Sequence, residues 1–315
     1  MEGRSNEIRP CIACNHCEDS TVAGFTVECV VNALAGQEYK YAVVPSKKPK
    51  RVLVIGGGPA GMEAARVTRL RGHEVVLCEK DDELGGQLRL AAVPPHQEPL
   101  RDLAKWFENT VNRLDVDLKL GQHWTPAPLK AMTPEVVIIA TGAVPYIPRL
   151  PGCELENVIT ANNALDGKAK VGERVVVVGG GHIGCKTADF LSEKDKKVIV
   201  LEAEEDLAML LYKHKGSLHR GLNELLLLRR LGEKGVRIFL DTAVEAITRG
   251  HVIVRRRGVR QRIKADTVVF CCYQPERKLS YELEGTVPIY EIGDCVEPRR
   301  LYHAIHEAFS VARKI

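Results

Sequence analysis

The feature that most constrains the fold is a strand, glycine turn, helix and second strand that occurs twice in the chain. The first copy begins with the apolar run 52–55 and continues through a glycine turn into a helix pattern over 59–71. The second copy repeats the order from 175–178, with its helix pattern over 182–194. Strands that alternate with helices predict parallel sheets. The sequence therefore predicts an α/β fold with two Rossmann-like three-layer units.

The glycines of both turns fit the pyrophosphate of a dinucleotide. Such glycines allow a tight turn and a close approach of the backbone to the phosphates, while the helix N-terminus supplies unpaired N–H groups and a positive dipole. An acidic residue lies 23 positions after the first glycine in both copies, where it can accept hydrogen bonds from ribose hydroxyls. The residues are Gly56, Gly58, Gly61 and Glu79 in the first copy, and Gly179, Gly180, Gly181, His182, Ile183, Gly184 and Glu202 in the second. A glycine-rich turn without a ligand is the alternative, but the equal spacing predicts two bound dinucleotides.

The second copy favours NADH over NADPH. Glu202 is followed closely by Glu204 and Glu205. A ribose 2′-phosphate would meet like charge here, whereas NADP enzymes normally offer an Arg or Lys.

Four of the ten cysteines lie within the first thirty residues, at Cys11, Cys14, Cys17 and Cys29. Three thiols from one loop and a fourth from a distant turn favour a [4Fe–4S] cluster, whose irons each take one thiolate. Structural zinc is the alternative, although zinc sites more often use two separated CxxC pairs. His16, between two of these cysteines, is expected to point to solvent or to a neighbouring carbonyl. The other six cysteines are expected to be buried, inert thiols.

The C-terminal part of the chain contains a candidate flavin-binding carboxylate. Asp294 follows a strand-like segment and precedes a helix pattern over 301–315, so it can accept a hydrogen bond from a ribityl hydroxyl while the helix directs its positive end at a flavin ring. An ordinary helix cap is the alternative.

The segment order predicts how the domains are arranged. Prolines 145, 148 and 151 follow the apolar run 136–140 and indicate a crossing between domains, because proline lacks the N–H that a strand or helix interior needs. A Leu-rich helix over 218–234 continues the second unit, and the C-terminal segment has no partner there. We predict an iron–sulfur loop over 1–45, a FAD-binding domain over 46–150 and 271–315, and an NAD(H)-binding domain over 151–270 inserted into it.

Bulk properties exclude several classes of partner. The net charge is only +4 and is spread along the 315 residues, and the basic stretches 47–51 and 255–262 are typical of solvated surface, so no nucleic-acid partner is expected. No apolar run approaches the ~20 residues of a membrane helix. The N-terminus has no apolar signal region, so we expect a cytoplasmic protein without a membrane partner.

Six sequence motifs together resemble the C-terminal part of the 2,4-dienoyl-CoA reductase, 2-enoate reductase and trimethylamine dehydrogenase family. The motifs are RPCIACNHC with Cys29 and Asn32 after it, GGGPAGMEAAR, LGGQL at 84–88, IIATGAVP, VVVVGGGHIGCKTADFL and IGDCVEPRRLYHAIHEAF. Two positions depart from the family pattern: Lys186 stands where an acidic residue is common, and Cys272 with Tyr273 where a glycine commonly follows the last strand. The resemblance covers nearly the whole chain.

The resemblance implies a cofactor set and a partner. It implies that NADH passes electrons to FAD, then through the cluster to FMN on a TIM barrel that reduces an activated carbon–carbon double bond of an enoate or enoyl-CoA. It adds Gly86, Gln87 and Gly142 to the FAD-binding residues. Only ten residues precede Cys11, so the barrel is expected to be missing from this chain.

The resemblance points to no catalytic side chain and leaves one alternative function open. Hydride transfer depends on orientation and proximity, so no catalytic acid or base is named. The rival is a non-catalytic nucleotide-binding subunit that transfers electrons or docks a partner in a complex like that of trimethylamine dehydrogenase.

Overall fold

The computed structural model describes residues 3–207, 213–214, 217–218, 221–283, 285 and 287–315. The α-helices of these residues are α1 (His16–Val22), α2 (Pro59–Leu70), α3 (Gln87–Ala91), α4 (Glu98–Arg113), α5 (Pro126–Ala131), α6 (Ala161–Leu165), α7 (His182–Ser192), α8 (Leu222–Glu233), α9 (Lys278–Leu283) and α10 (Leu301–Ala312). Short 3-10 turns cover Ser5–Glu7 and Gly293–Cys295.

The strands form two parallel sheets and smaller antiparallel pieces. They are β1 (Arg51–Ile55), β2 (Glu74–Cys78), β3 (Asp117–Lys119), β4 (Val136–Ile139), β5 (Ala143–Tyr146), β6 (Val158–Thr160), β7 (Arg174–Val178), β8 (Lys197–Leu201), β9 (Lys213–His214), β10 (Ser217–Leu218), β11 (Arg237–Phe239), β12 (Thr242–Thr248), β13 (His251–Arg256), β14 (Val259–Lys264), β15 (Thr267–Phe270), β16 (Cys272–Pro275) and β17 (Ile289–Glu291).

The first sheet has the strand order β17-β4-β1-β2-β3, and its neighbours pair in parallel. Its central strands are apolar on both faces, as expected of a parallel sheet that is covered on both sides. One face packs against α2, α4 and α10 through residues such as Met62, Phe107 and Ile305. The other face packs against Leu283 and its neighbours. This sheet takes its edge strand from the C-terminal end of the chain.

The second sheet has the order β11-β8-β7-β15-β6, also parallel. Helices α6, α7 and α8 cover one face through side chains such as Leu191 and Leu231. The antiparallel sheet β12-β13-β14 covers the other face through Ile247, Val252 and Val254. The fold is thus α/β with two parallel sheets, and every strand of the second sheet lies between β4 and β17 in sequence.

The connection between the sheets is a two-stranded antiparallel ribbon. Strand β5 leaves the first sheet and pairs with β16, which returns from the second, so that Pro145 lies opposite Tyr273. The proline is tolerated because a two-stranded ribbon leaves one edge of each strand unpaired. The predicted domain boundaries at 150/151 and 270/271 lie close to this ribbon and stay predictions.

Most predicted helices and strands agree with the structure to within one to three residues at each end. The Leu-rich helix is an exception, because it begins at Leu222 rather than at 218, where β10 lies. Gly221 before it has extended torsion angles, φ −63° and ψ 147°, so the helix cannot continue backward through this residue. None of the helices in the described ranges is long and apolar enough to cross a membrane.

Candidate functional site

The first glycine turn, between β1 and α2, can be formed only by glycine at two positions. Gly56 has φ +108°, and a Cβ there would lie 2.3 Å from the carbonyl oxygen of Ala140. A Cβ at Gly61 would lie 1.8 Å from the oxygen of Gly56. Both contacts are far below van der Waals distance. The turn therefore brings the N-terminus of α2 against β1 and β4, at the carboxyl end of the sheet where dinucleotides bind in such folds.

Glu79 is buried behind this turn and supports it. The Gly57 N–H donates to its Oε2 at 2.6 Å, and the Asp81 N–H donates to its Oε1 at 3.0 Å. Only 6% of the residue is exposed. A carboxylate oxygen has further lone pairs, so these bonds leave capacity for a ribose hydroxyl. The 23-residue spacing predicted Glu79 as the acidic residue of this site, but it did not predict the hydrogen bonds by which Glu79 supports the turn.

Glycines from two segments leave the main chain open beside the turn, and a glycine from a third segment packs against one of them. A Cβ at Gly58 or Gly142 would meet no heavy atom within 4 Å. Gly86 comes close to Gly58, since a Cβ on Gly86 would lie 3.0 Å from the Gly58 Cα. Gln87, which follows, donates from Nε2 to the Ala143 oxygen at 2.9 Å. The structure thus brings Gly58 and Gly86 together, and this open stretch of main chain fits a dinucleotide.

Asp294 closes a loop rather than capping the last helix. Its Oδ1 accepts from the Arg299 N–H at 3.1 Å, whereas the residue before the first turn of α10 is Arg300. Burial raises the pKa of the Asp294 carboxyl, and the Arg299 N–H and guanidinium oppose that shift. The helix-cap alternative is therefore wrong, and the carboxylate retains lone pairs for another donor.

The second glycine turn, between β7 and α7, repeats the first. Gly179 has φ +109°, and a Cβ on Gly184 would lie 1.8 Å from the Gly179 oxygen. The Gly180 N–H donates to Oε2 of Glu202 at 2.8 Å, and the Glu204 N–H donates to its Oε1 at 3.2 Å. A Cβ on Gly181 would again meet open space. The second turn therefore also fits a dinucleotide pyrophosphate.

The N-terminal half of α7 carries two basic side chains. Nε2 of His182 lies 3.3 Å from Oε1 of Glu224, and burial with the charges of Arg300 and Lys186 lowers the pKa of this imidazole to about 3. Lys186 donates from Nζ to Oε1 of Gln97 at 2.5 Å. Burial lowers the pKa of its ammonium group. Because Gln97 precedes α4 and Arg300 precedes α10, this region of α7 contacts the fold built on the first sheet.

The four-cysteine loop holds its thiols at or near the surface. Cys11 and Cys17 are exposed, and Cys14 and Cys29 are half-buried. The Ala13 N–H donates to the Sγ of Cys11 at 3.4 Å. Burial raises the pKa of the Cys14 thiol, and the charges of the other three thiols raise it further. In the described ranges, no three His, Cys, Asp or Glu side chains converge on a position for a single metal ion.

An arginine fixes the start of this loop to the first fold. Arg9 donates from Nη2 to Oε2 of Glu63 at 3.1 Å and from Nη1 to the Val31 oxygen. Its guanidinium lies 4.4 Å from the centre of the Trp106 ring. Glu63 is fully buried and also accepts two bonds from Arg66, both at 2.8 Å. The loop is therefore held against α2 and α4 by a buried ionic network.

The loop also contacts the second fold and α10. Asn223 of α8 donates from Nδ2 to the Ala13 oxygen at 2.8 Å. Its Oδ1 accepts from Nδ2 of Asn15 at 3.2 Å. His16 is 7% exposed, with its ring centre 4.9 Å from that of Tyr302, so it does not point to solvent, one of the two orientations expected for it. Contacts across 208 to 286 positions of sequence produce this burial, and local spacing carries no signal for it.

The remaining cysteines divide into two groups. Cys78, Cys185 and Cys295 are buried, and burial raises the pKa of the Cys78 and Cys185 thiols to about 12. Cys153, Cys271 and Cys272 are half-buried, which differs from the expectation that all six are buried. No two cysteines of the described residues form a disulfide.

Known proteins resemble the chain along its whole length. The family profile described as pyridine nucleotide-disulphide oxidoreductase matches residues 50–308. A metal reductase of Desulforamulus reducens is 34% identical over 342 residues, which include 100% of this chain and 51% of the relative. An NADH oxidase of Thermoanaerobacter brockii is 35% identical over 326 residues, with 100% and 49% covered.

A solved structure of 2-naphthoyl-CoA reductase with 2-naphthoyl-CoA superposes with a TM-score of 0.91 at 32% identity, covering 100% of this chain and 47% of that one. The chain therefore spans about half the length of the relatives it matches, corresponding to their C-terminal half.

Proposed function

The chain is an oxidoreductase of the pyridine nucleotide-disulphide oxidoreductase family, and on that premise we propose that it is an NADH-dependent module carrying FAD and one [4Fe–4S] cluster. The observation that carries the proposal is the occurrence of two glycine turns with matching torsion angles, each with its own buried glutamate, in a chain whose four-cysteine loop contacts both folds. Two dinucleotide folds and one cluster site are the parts needed to move electrons from a nicotinamide to a one-electron acceptor.

The first fold is proposed to hold FAD. The N–H groups at the start of α2 and the open glycines Gly58 and Gly142, with Gly86 packed against Gly58, receive the pyrophosphate and the adjoining parts of the cofactor. Glu79 accepts from the adenosine ribose, and Asp294 accepts from a ribityl hydroxyl. When bound, FAD supplies a group that accepts a hydride and releases single electrons. The protein's part is orientation, and no side chain is assigned a proton transfer.

The second fold is proposed to hold NADH. The N–H groups at the start of α7 meet the pyrophosphate, and Glu202 accepts from the ribose hydroxyls and repels a 2′-phosphate. His182 is held neutral by its low pKa, so it adds no positive charge at the pyrophosphate over the ordinary pH range. The acidic residues after Glu202 make the same distinction between NADH and NADPH.

The cysteine loop is proposed to hold the cluster through Cys11, Cys14, Cys17 and Cys29. Thiolates that each bind a different iron stand farther apart than the ligands of one ion. Burial is the largest cause of the raised pKa of Cys14, and the charges of the other three thiols add to it, which fits four cysteines near one another. Metal binding would hold these thiols deprotonated. The N–H bond to the Sγ of Cys11 is of the kind that stabilises cluster sulfurs.

The proposed acceptor is an FMN-bearing TIM barrel, on this polypeptide or on a separate subunit, that reduces an activated C=C bond. The chain spans about half of each relative, which leaves room in those proteins for such a domain. The name of the solved relative, a 2-naphthoyl-CoA reductase, supports an unsaturated acyl substrate for that partner.

Anaerobic purification followed by cofactor analysis tests the proposal. We expect one FAD, about four irons and about four labile sulfides per chain, and loss of the flavin absorbance when NADH is added. About one zinc without sulfide would remove the cluster from the account. Bound FAD that NADH fails to bleach would favour the rival, a non-catalytic docking subunit.

A further inference from the structure

Four polar side chains form a cluster between the cysteine loop and α10, which we name the loop–helix cluster: His16, Glu28, Tyr302 and His306. Tyr302 and His306 stack with ring centres 3.8 Å apart and 25° between their planes. The Tyr302 hydroxyl donates to Oε2 of Glu28 at 3.1 Å. The same oxygen of Glu28 lies 3.8 Å from Nε2 of His16. Glu28 and His16 are each 7% exposed, whereas Tyr302 and His306 are half-buried, so one side of the cluster is buried and the other lies nearer the surface.

His306 connects this cluster to a proposed metal ligand. Its Nε2 lies 2.8 Å from the carbonyl oxygen of Cys29. Since a carbonyl oxygen only accepts, Nε2 must carry the proton and donate. The same oxygen accepts from the Asn32 N–H at 3.4 Å. The backbone at Cys29 is thus fixed both by the turn that follows it and by a side chain 277 positions away in sequence.

Helix α10 joins this contact to the first dinucleotide fold. Tyr302 and His306 are four residues apart and so lie on the same face of the helix. The helix begins seven residues after Asp294, and its Glu307 accepts from the N–H of the neighbouring Gly293 at 2.9 Å. Its other face packs into the core of the first fold through Ile305 and Ala308. One rigid helix therefore links the proposed flavin site to the main chain of the fourth cysteine.

We propose, resting on the proposed function, that His306 is a positioning residue for the [4Fe–4S] cluster, with Tyr302 holding its imidazole in place. The hydrogen bond to the Cys29 carbonyl fixes where the fourth thiolate stands relative to the flavin fold. Partners that orient metal ligands tune metal affinity and potential, and their loss typically costs about 10- to 100-fold in affinity or activity. Hydrogen bonding around a cluster sets its reduction potential.

Two substitutions separate positioning from simple packing. His306→Gln can keep a donor near the Cys29 carbonyl, whereas His306→Leu has similar bulk and no donor. His303→Leu is a control on the same helix: the His303 ring lies 5.5 Å from the Tyr302 ring, edge to face, but no described contact joins His303 to the cysteine loop. It therefore shows how much of any effect comes from disturbing the packing around Tyr302 alone. FAD content is measured in each variant, so that a folding defect in the first fold is detected.

The first measurement uses the full chain after a chelator has removed metal, and so does not depend on a loaded enzyme. We expect hydrogen exchange of the amides over 30–35 to quicken by about 10-fold in His306→Leu, as for loss of one hydrogen bond. Exchange should stay near wild type in His306→Gln and His303→Leu. Equal exchange in wild type and His306→Leu would overturn the proposal.

The second measurement is a potentiometric titration of the loaded chain, followed by the paramagnetic signal of the reduced cluster. We expect the cluster potential to shift in His306→Leu and to return toward wild type in His306→Gln. A shift in His306→Leu that His306→Gln does not restore would mean that the imidazole acts only by its bulk, and the proposal fails. If wild type assembles no cluster, the proposed function fails, while the exchange experiment still decides whether His306 positions Cys29.

Discussion

The two dinucleotide folds have the same glycine turn, but one equivalent position on the following helix carries opposite charges. Seven positions after the first glycine, the first fold has Glu63 and the second has Lys186. Glu63 is fully buried and binds Arg9 of the cysteine loop together with Arg66. Lys186 reaches out of its own fold to Gln97. The duplicated unit thus keeps its glycine turn and varies the charge that attaches it to a neighbour.

A second pair of equivalent positions differs in the same manner. Arg66 and Asp189 both stand ten positions after the first glycine. Arg66 pairs with Glu63 within α2, whereas Asp189 accepts from Arg230 and Lys234 and so joins α7 to α8. The glycine pattern thus fixes the turn, while the charges along the helix determine which neighbouring structure the unit holds.

The largest expected effect comes from neutralising the two opposite charges. Glu63→Gln leaves two partly buried arginines without a carboxylate, and breaking such a buried pair costs about 3 kcal/mol or more. Lys186→Gln removes a bond to a neutral amide, worth about 1 kcal/mol. We expect a much lower urea midpoint and loss of iron in Glu63→Gln only. Similar urea midpoints for the two variants would mean that Glu63 and Lys186 contribute equally to stability, and would contradict the difference drawn between the two folds.

The second largest effect should show that FAD and NADH bind to different folds. An added methyl at Gly61 or Gly184 would lie 1.8 Å from a carbonyl oxygen, and such overpacking typically costs about 1–3 kcal/mol, or up to about 100-fold in affinity. Gly61→Ala should purify with little FAD. Gly184→Ala should retain its FAD absorbance but require far more NADH for bleaching. Loss of FAD from both variants would contradict separate sites.

A smaller change is expected when the acidic residue of the second fold is neutralised. Glu202→Gln keeps an oxygen for the Gly180 N–H but removes the charge that repels a 2′-phosphate. The ratio of kcat/KM for NADH to that for NADPH should fall by about 10-fold, which is about 1.4 kcal/mol. In Glu79→Gln, the matched change in the first fold, this ratio should stay constant. Wild-type preference for NADPH in a dye-reduction assay would refute the assignment of Glu202.

The smallest expected effect concerns pH and His182. Its pKa is lowered from an ordinary value near 6.5 to about 3, so the unfolded chain binds a proton between these values that the folded chain does not. Stability is therefore lost as the pH falls through that window. Because 31% of the side chain is exposed, we expect only about 1 kcal/mol at pH 5. His182→Gln should show a smaller drop in urea midpoint from pH 7 to pH 5, and an unchanged drop would contradict the lowered pKa.

The local parts of the fold could be predicted from sequence because their causes are local. The glycines of both turns and the apolar strands beside them determine β1, α2, β7 and α7 within a few residues. The start of α8 could not be placed, because the extended backbone of Gly221, rather than the leucine pattern, sets where the helix begins.

The attachments of the cysteine loop could not be predicted in the same way. Arg9 and Glu63 are 54 positions apart, and Cys29 and His306 are 277 apart, so no spacing rule joins them. The burial of His16 follows from the same long-range packing. Similarly, the glutamates were found by spacing, but their bonds to Gly57 and Gly180 depend on how the turn packs on the next strand.

We propose that NADH reduces this chain and that its electrons leave through the cysteine loop to a partner. The most direct test follows anaerobic NADH oxidation by the purified chain with an artificial dye, then with a cinnamate-type or enoyl substrate, and finally with that substrate and an added FMN-bearing barrel. We predict dye reduction by the chain alone, no reduction of the substrate alone, and substrate reduction once the barrel is present. Substrate reduction by the isolated chain, or a bound barrel that receives no electrons, would contradict the account.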